Sequence, residues 1–429
     1  MCWSAGVASL TAFLSKMRRK PLAVPNRGSA NMGAEPMKMF ANAPAARLAT
    51  GWLTMLVIGT DLFVVSPLLP LIAADYRISP ALAGLGVAMF ALSYMISAPL
   101  LGHLADRIGR RRMRTYCLLG FASANLLTAS AANFAWLLAA RLSAGAAAAG
   151  VSPSLYALVS SLAPPDRRAT WLARVVSGLL VSLSLGAPIG GLAGAAFGWP
   201  SIFTILAGCS LLLVWANRRV WPKDYGGGNI AVQHHTWAPA VLGGRLVPMV
   251  AWSTALYGVY VYLGAGLAAH GFSTEEIAAT ILFYGCGAIG GVLMGGRMVD
   301  RIGTKPTSGV GLAGLSVCLL LIGLAIDARM LITFAIGAAS AAAQLFFPAQ
   351  QIGLADDFPA QRAGVLAWNN SALFFGIALG SLVGGQAIAH GGFTANLRIS
   401  AAIAIAGWMI NQAVVPDTAR SPAAAVDLG

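Results

Sequence analysis

Charged residues are scarce in this sequence, because aspartate, glutamate, lysine and arginine together make up only 10% of its 429 residues. Soluble domains carry about 25% charged residues, so this chain could not cover a water-facing surface. Long polar insertions are also absent, which argues against a separate soluble domain, while hydrophobic residues reach 58%. The composition therefore predicts a membrane protein that crosses the bilayer many times.

The motifs of enzymes and ATP-driven pumps are missing as well. The sequence has no Walker loop, no dinucleotide-binding fingerprint and no cluster of histidines and cysteines. Its five cysteines show no paired spacing, and we expect them to be apolar filler. A metal site at His234 and His235 would need a third ligand, and none is near, so we expect a flexible linker there. We predict no enzymatic activity, no cofactor and no metal.

Apolar stretches occupy most of the chain, and twelve of them approach the ~20 residues that a bilayer core requires. These predicted spans, numbered 1 to 12 in chain order, cover roughly 49–72, 80–101, 115–132, 135–161, 169–196, 200–217, 246–268, 277–298, 308–326, 330–354, 363–388 and 398–415. The prediction is an all-α polytopic membrane protein.

The net charge of +14 is distributed unevenly. Of the 28 lysines and arginines, 24 fall in the two tails and in alternate loops, which is the positive-inside pattern and places both termini in the cytoplasm. Arg77, Arg329 and Arg398 fall on the other side, and Arg141 lies within a span. The bias fits a bacterial-type inner membrane, and we expect no nucleic-acid binding because the basic residues form no folded patch.

The sequence repeats itself at an offset of 194 residues. GHLADRIG at 102–109 returns as GRMVDRIG at 296–303, and LGAPIGG at 185–191 returns as LGSLVGG at 379–385. The chain is therefore predicted to consist of two six-helix halves. The predicted segments are a tail at 1–48, a first half at 49–217, a linker at 218–245, a second half at 246–415 and a tail at 416–429. Met37 is a natural start, and the residues before it are expected to be disordered or a start-site artefact.

Two parallel six-helix halves and the string GHLADRIGRRRM resemble the major facilitator superfamily, in particular its twelve-helix drug:H⁺ antiporters. The resemblance implies a substrate site between the halves and a loop latch that holds one of the alternating states. In this latch a glycine allows close helix approach, an aspartate faces a helix N-terminus, and the arginines pair with Asp166. The residues that correspond to it are Gly102, Asp106, Arg107, Gly109, Arg110, Arg111, Asp166, Gly296, Asp300 and Arg301.

Two further strings resemble motifs of this family. Arg141 followed by Gly145 is similar to the fourth-helix motif, whose arginine is associated with proton coupling. The string SGLLVSLSLGAPIGG resembles the fifth-helix antiporter motif of the exporters, although Ala187 stands where the family has glycine. Its corresponding residues are Gly178, Gly186, Pro188, Gly190 and Gly191. This motif favours export over import.

Asp61 is the only acidic residue that we place inside a span, and a charge there is costly. At helical spacing it shares a face with Thr54, Ile58 and Val65, and we predict that this face lines the central cavity. Whether Asp61 touches Arg141 stays open at this point. The second half lacks both charges and supplies neutral candidates for the cavity, namely Tyr257, Tyr260, Gln344, Asn369 and Asn370.

The resulting hypothesis is a proton-coupled exporter of drugs or other small amphipathic compounds that works by alternating access, with Asp61 and Arg141 in proton coupling. The alternatives are an exporter of an endogenous metabolite such as a sugar, nucleoside or siderophore, an importer, and a non-transporting sensor or scaffold. The expected partners are a small-molecule substrate, protons and the lipid bilayer, and we expect a monomer.

Overall fold

The computed structural model describes residues 43–164, 167–222, 239–324 and 328–415, and these residues are almost entirely helical. From Pro44 onward the described residues belong to one compact unit. Several spans are broken into two or three helical pieces, mostly next to a proline or glycine. Each helical piece carries the number of the predicted span to which it belongs.

The first half contains spans 1 to 6. Their helices are Ala43–Phe63 and Val65–Asp75 (span 1), Pro80–Ala83 and Leu85–Ile108 (span 2), Arg110–Ala129 (span 3), Phe134–Leu162 (span 4), Arg168–Val181 and Ala187–Phe197 (span 5), and Trp199–Val220 (span 6). The two pieces of span 5 are joined by a π-helical segment, Ser182–Gly186. Pro188 has no backbone N–H to donate to Ser184, which explains why the regular hydrogen-bond ladder is interrupted there.

The second half contains spans 7 to 12. Their helices are Pro239–Ala269 (span 7), Thr274–Ile302 (span 8), Thr304–Leu324 (span 9), Arg329–Gln344 and Phe346–Asp357 (span 10), and Arg362–Val414 (spans 11 and 12). Arg362–Val414 has 53 residues, and at 1.5 Å per residue it is far longer than a ~30 Å bilayer core. Its backbone leaves the helical region at Gly392, where φ is 68°, so it supplies two spans.

Nine helices in the described part of the chain are long and apolar enough to cross a membrane, and the bent pair of span 1 makes ten. The longest of them holds spans 11 and 12. Arg110–Ala129 occupies the place of span 3 but is less apolar because four arginines lie in its first five residues. Span 7 begins at Pro239, inside the segment that the sequence predicted to be linker, so Arg245 lies within a helix.

The backbone confirms the internal repeat. Every described residue with a positive φ has a counterpart 194 positions away. The three pairs are Arg77 with Gly271, Gly109 with Gly303, and Gly198 with Gly392. Positive φ is a conformation that marks helix ends and favours glycine, so the two halves change direction at equivalent places. The helix-capping serines Ser79 and Ser273 keep the same offset.

The halves touch through buried side chains from the middle of the bilayer to the predicted periplasmic side. Ser66 of span 1 donates to the carbonyl of Tyr260 in span 7. Ser381 of span 11 donates to the carbonyl of Gly84 in span 2 at 2.7 Å. The Tyr262 hydroxyl of span 7 donates to the carbonyl of Ser381 at 2.6 Å. These hydrogen bonds hold the two halves together at the ends of the spans that lie opposite the arginine-rich loops.

Candidate functional site: a buried ion pair and the contacts between the halves

Asp61 and Arg141 form an ion pair. Nη1 of Arg141 donates to Oδ1 of Asp61 at 2.9 Å. The Arg141 side chain is 3% exposed and the Asp61 side chain is 0% exposed. The pair joins the middle of span 1 to span 4 across 80 residues of sequence. The open question of whether the two charges meet is answered, because the long arginine side chain bridges the difference in depth. Each charge supplies the compensation that the other needs inside the membrane.

Aromatic rings surround the arginine. Its guanidinium carbon lies 4.8 Å from the centre of the Phe90 ring and 5.5 Å from that of Phe203, which are cation–π distances. Gly145, one turn further along span 4, makes this arrangement possible, since a Cβ there would lie 2.1 Å from the carbonyl oxygen of Phe90. Small-residue contact between spans 2 and 4 thus places the arginine against the ring of Phe90.

The hydrogen-bonding capacity of the pair is only partly used. Oδ2 of Asp61 and Nε and Nη2 of Arg141 are buried and have no hydrogen-bond partner among the described residues. The ion pair engages only one carboxylate oxygen, so the other can accept a proton or another donor without displacing the arginine. Such a buried, partly satisfied polar pair is a feature of functional sites more than of packing.

The face of span 1 that carries Asp61 packs against other helices. Ile58 and Val65 belong to the same apolar cluster as Phe90 and Phe203. Thr54 accepts a hydrogen bond from the side-chain amide of Asn217 in span 6 at 3.2 Å. The same cluster also contains Val261, Tyr262 and Phe374 of the second half. That the face lines a substrate path stays a prediction.

The fifth-helix motif packs directly on span 1. A Cβ added to Gly186 would lie 2.3 Å from Oγ1 of Thr60, one added to Gly190 would lie 2.4 Å from Cγ2 of Val64, and one added to Gly191 would lie 2.7 Å from Cβ of Pro67. A Cβ on Gly178 would lie 2.3 Å from the carbonyl oxygen of Trp52. The glycines thus form a stripe without side chains along which span 5 packs closely against span 1, the helix that carries Asp61. Pro188 accounts for the π-helical segment Ser182–Gly186.

The loop signature is in place as backbone structure. Gly109 ends the helix of span 2 with a φ of 93° and Gly303 does the same in span 8 with a φ of 88°. Arg111 donates to the carbonyl of Arg218, whereas Arg107, Asp300 and Arg301 are exposed and Arg110 is half-buried.

The latch itself stays a prediction. A Cβ on Gly102 or Gly296 would meet no atom of the described residues within 4 Å, so neither glycine is at a close helix contact in this conformation. Asp166 lies outside the described residues, and the side-chain placement of Asp106 lies outside them too.

The five neutral cavity candidates of the second half differ in their burial and in their hydrogen-bond partners. Asn369 accepts from Gln350 at 3.4 Å and Tyr260 donates to the carbonyl of Phe63 at 2.9 Å, so both already have partners. Asn370 is half-buried and lies near the Tyr94 hydroxyl. Tyr257 is half-buried beside Trp252 and Tyr260, while Gln344 is buried in span 10.

A second tyrosine-rich contact crosses from one half to the other. The ring of Tyr94 in span 2 stacks on that of Phe374 in span 11, with centroids 3.6 Å apart. The Tyr94 hydroxyl lies near the side chains of Ser152 and Asn370. Tyr94 and Phe374 were not among the predicted site residues, because an aromatic residue in an apolar helix gives no sign of its own that it faces another domain.

A second buried ion pair also escaped the sequence analysis. Arg245 at the start of span 7 pairs with Asp357 at the end of span 10, and their side chains are 6% and 18% exposed. Gln350 donates to the carbonyl of Arg245 at 2.8 Å and connects the pair to Asn369. The sequence placed both charges in loops because the helices extend further than their apolar cores. Arg114, in span 3, is buried for the same reason and lies over the Trp221 ring.

The architecture defines a class of protein. Two equivalent helical halves meet along a plane that is lined by neutral polar and aromatic side chains, and one half holds a buried ion pair that joins span 1 to span 4. Binding sites between repeats at the bilayer midplane are the arrangement of secondary transporters. No group of three or more potential metal-binding side chains occurs in the part of the chain that the structure covers.

Comparison with known proteins agrees with this class. A family model described as Major Facilitator Superfamily matches residues 51–274 and 246–427. The chain therefore belongs to the Major Facilitator Superfamily, and it is a multi-pass membrane transporter rather than an enzyme.

Individual relatives cover most of the chain. It is 29% identical over 364 residues to the MFS-type transporter YceJ of Bacillus subtilis (strain 168), which covers 80% of this chain and 92% of YceJ. It is 28% identical over 273 residues to a chloramphenicol resistance protein of Streptomyces lividans, which covers 62% of this chain and 68% of that protein. A crystal structure of a bacterial homologue of the human lysosomal transporter Spinster, inward-facing and occupied, has the same fold, with a TM-score of 0.72 at 17% identity over 89% of this chain and 97% of that one.

Proposed function

We propose that this protein is a proton-coupled exporter of small, uncharged or amphipathic organic compounds, and that it resides in the cytoplasmic membrane of a bacterial cell. The observation that carries the proposal is the buried Asp61–Arg141 pair. It joins the one acidic and the one basic residue that the sequence analysis placed inside spans, and it lies near the middle of span 1 beside the fifth-helix glycine stripe.

Asp61 takes the proton in this proposal. A proton added at Oδ2 neutralises the carboxylate while the arginine still contacts Oδ1, and the charge-assisted hydrogen bond is then weakened. The buried arginine would be left without its counter-charge, which is unfavourable in the membrane. A rearrangement of span 1 against span 4 that offers Arg141 new partners is therefore favoured by protonation. The proton gradient supplies the energy for that step.

The substrate in this proposal binds between the halves rather than at the ion pair. The ion pair is enclosed by Phe90 and Phe203 within the first half. Tyr94 of the first half faces the second half, to which Tyr257 and Asn370 belong. Their phenol and amide groups suit a ligand with aromatic surface and a few hydrogen-bonding groups and no need for a counter-charge. The name of the chloramphenicol resistance relative and the fifth-helix stripe support export of such compounds.

The test uses everted membrane vesicles that are made acidic inside. The wild-type protein is expected to accumulate radiolabelled chloramphenicol, or a neutral aromatic compound from a small panel, when the pH gradient is applied. Asp61→Asn is expected to lower this accumulation on the order of tenfold or more, while exchange of labelled for unlabelled substrate without a gradient persists. Exchange persists because Asn leaves the substrate site between the halves intact.

The matched control is Asp75→Asn. Asp75 lies at the exposed end of the same span and accepts a hydrogen bond from the Trp199 indole at 3.0 Å, and an asparagine side chain can still accept that bond. The control is expected to retain accumulation. Gradient-driven accumulation that survives in Asp61→Asn would contradict the assignment of the proton site, and failure of wild type across neutral, cationic and metabolite panels would contradict drug export itself.

A further inference from the structure

Two carbonyl groups of span 1 have lost their helical donors. In an α-helix the carbonyl of one residue accepts from the amide four positions later, and proline has no amide hydrogen. Pro67 and Pro70 therefore leave the carbonyls of Phe63 and Ser66 without the amide that would donate to them in a regular helix. The helix breaks at the same place, since Ala43–Phe63 and Val65–Asp75 meet at an angle near 44°. A buried carbonyl without a donor is strongly unfavourable inside a membrane.

Span 7 of the other half covers both carbonyls. The Tyr260 hydroxyl donates to the carbonyl oxygen of Phe63 at 2.9 Å, and Tyr260 is 2% exposed. One turn later, Gly264 brings its backbone against Ser66, because a Cβ there would lie 2.4 Å from the Ser66 carbonyl oxygen. Ser66 in turn donates from its side chain to the carbonyl of Tyr260. The donor that Pro67 removed from span 1 is thus replaced by a phenol from the opposite half.

We propose that Tyr260 is the positioning residue of a gate between spans 1 and 7, and that its hydroxyl holds the halves closed on the predicted periplasmic side by replacing the amide that Pro67 lacks. The bond exists only while the two halves are in contact at this level. When the gate opens, the Phe63 carbonyl faces the opened cleft and water becomes its donor. Each state therefore satisfies the carbonyl, which keeps the two states close enough in free energy to interconvert.

The gate can be measured without any transport, so its test is independent of the proposed function. In a variant without its native cysteines, Ala83→Cys places a thiol in the closed contact, where Ala83 is 3% exposed beside Gly84. The rate at which a water-soluble maleimide modifies this thiol in detergent reports the fraction of molecules in which the contact is open. Tyr260→Phe keeps the ring and removes the hydroxyl, and it is expected to raise this rate about five-fold, as the loss of one buried hydrogen bond predicts.

Tyr257→Phe is the matched control. It makes the same chemical change one turn earlier in the same helix, at a tyrosine for which the structure shows no hydrogen bond to the first half, and the labelling rate is expected to stay at the wild-type value. General loosening of the structure is measured in a second set of variants whose only cysteine is Cys117, which is buried in the first half. With Cys117 as the only thiol, the labelling rate is expected to be equally slow in wild type, Tyr260→Phe and Tyr257→Phe. Ser66→Ala, which removes the reciprocal bond, is expected to raise the labelling rate of the thiol introduced by Ala83→Cys in the same direction as Tyr260→Phe.

The decisive comparison places Tyr260→Phe in a Pro67→Ala background. Alanine restores an amide that can donate to Phe63, so the hydroxyl of Tyr260 has less to contribute and the rise in rate is expected to shrink toward the control. Three results would overturn the proposal: an unchanged rate in Tyr260→Phe, an equal rise in Tyr257→Phe or at Cys117, or a rise that is the same with proline and with alanine at position 67.

Discussion

Ser66 donates a hydrogen bond to the backbone carbonyl of Tyr260, the residue that occupies its own position in the second half, 194 residues later. Equivalent residues of two repeats can touch only near the axis that relates them. This contact therefore marks where the pseudo-twofold axis passes between spans 1 and 7. Asp61 lies five residues before Ser66 on the same span, so the proposed proton site and the axis between the halves are little more than one helical turn apart.

The ion pair predicts an asymmetry between single and double variants. Arg141→Ala leaves the buried Asp61 carboxylate without its partner and is expected to destabilise the protein by about 3–5 kcal/mol. Asp61→Asn with Arg141→Gln removes both charges, so stability is expected to recover while gradient-driven transport stays lost. Thermal unfolding in detergent and vesicle transport measure the two effects. Equal stability of the single and double variants would contradict a close ion pair.

The glycine stripe of span 5 predicts a steric effect at one position and none at another. Gly190→Ala places a Cβ 2.4 Å from a methyl group of Val64, so span 5 must move away from span 1 and transport is expected to fall. Gly208→Ala in span 6 is the control, because a Cβ there meets no described atom within 4 Å and alanine is the better helix former by about 1 kcal/mol. Transport at equal expression level checks the pair, and equal activity of the two variants would argue against tight packing at Gly190.

Burial predicts that two acidic residues of the second half differ in importance. Asp357 pairs with Arg245, which is 5% exposed, so Asp357→Asn leaves a buried guanidinium without its counter-charge and is expected to lower the melting temperature clearly. Glu276 and Arg329 form an exposed ion pair at the N-terminal ends of spans 8 and 10, whereas Asp357 lies at the C-terminal end of span 10. Glu276→Gln is expected to change the melting temperature little, since exposed ion pairs contribute little to stability. A larger effect at Glu276 would contradict this ranking.

Adjacent asparagines in span 11 are expected to have separate roles. Asn370 is half-buried at the contact with Tyr94, and Asn370→Ala is expected to raise the substrate concentration for half-maximal transport about five-fold at an unchanged melting temperature. Asn369 is fully buried and bonded to Gln350, so Asn369→Ala is expected to lower the melting temperature instead. Transport kinetics and thermal unfolding of both variants check the division, and identical profiles would contradict it.

Local properties of the sequence predicted a large part of this structure. The apolar runs predicted the spans. The predicted ends differ from the observed helix ends where a helix continues beyond its apolar core, as at Pro239 and at Arg110. The offset of 194 residues gave the repeat, and the backbone follows it at every positive φ among the described residues. The missed contacts share a cause. Arg245 and Asp357 lie 112 residues apart, and nothing in either segment indicates that their helices end side by side.

The sequence by itself determined the class of protein, the number of halves, and that Asp61 and Arg141 are exceptional, because hydrophobicity and charge act on each segment separately through the bilayer. The tertiary structure decided that these two charges meet, and that Tyr260 reaches the carbonyl whose regular helical donor Pro67 removes. Such contacts depend on the depth, tilt and rotation of each helix. Packing against neighbouring helices sets those three quantities, and a single segment does not contain them.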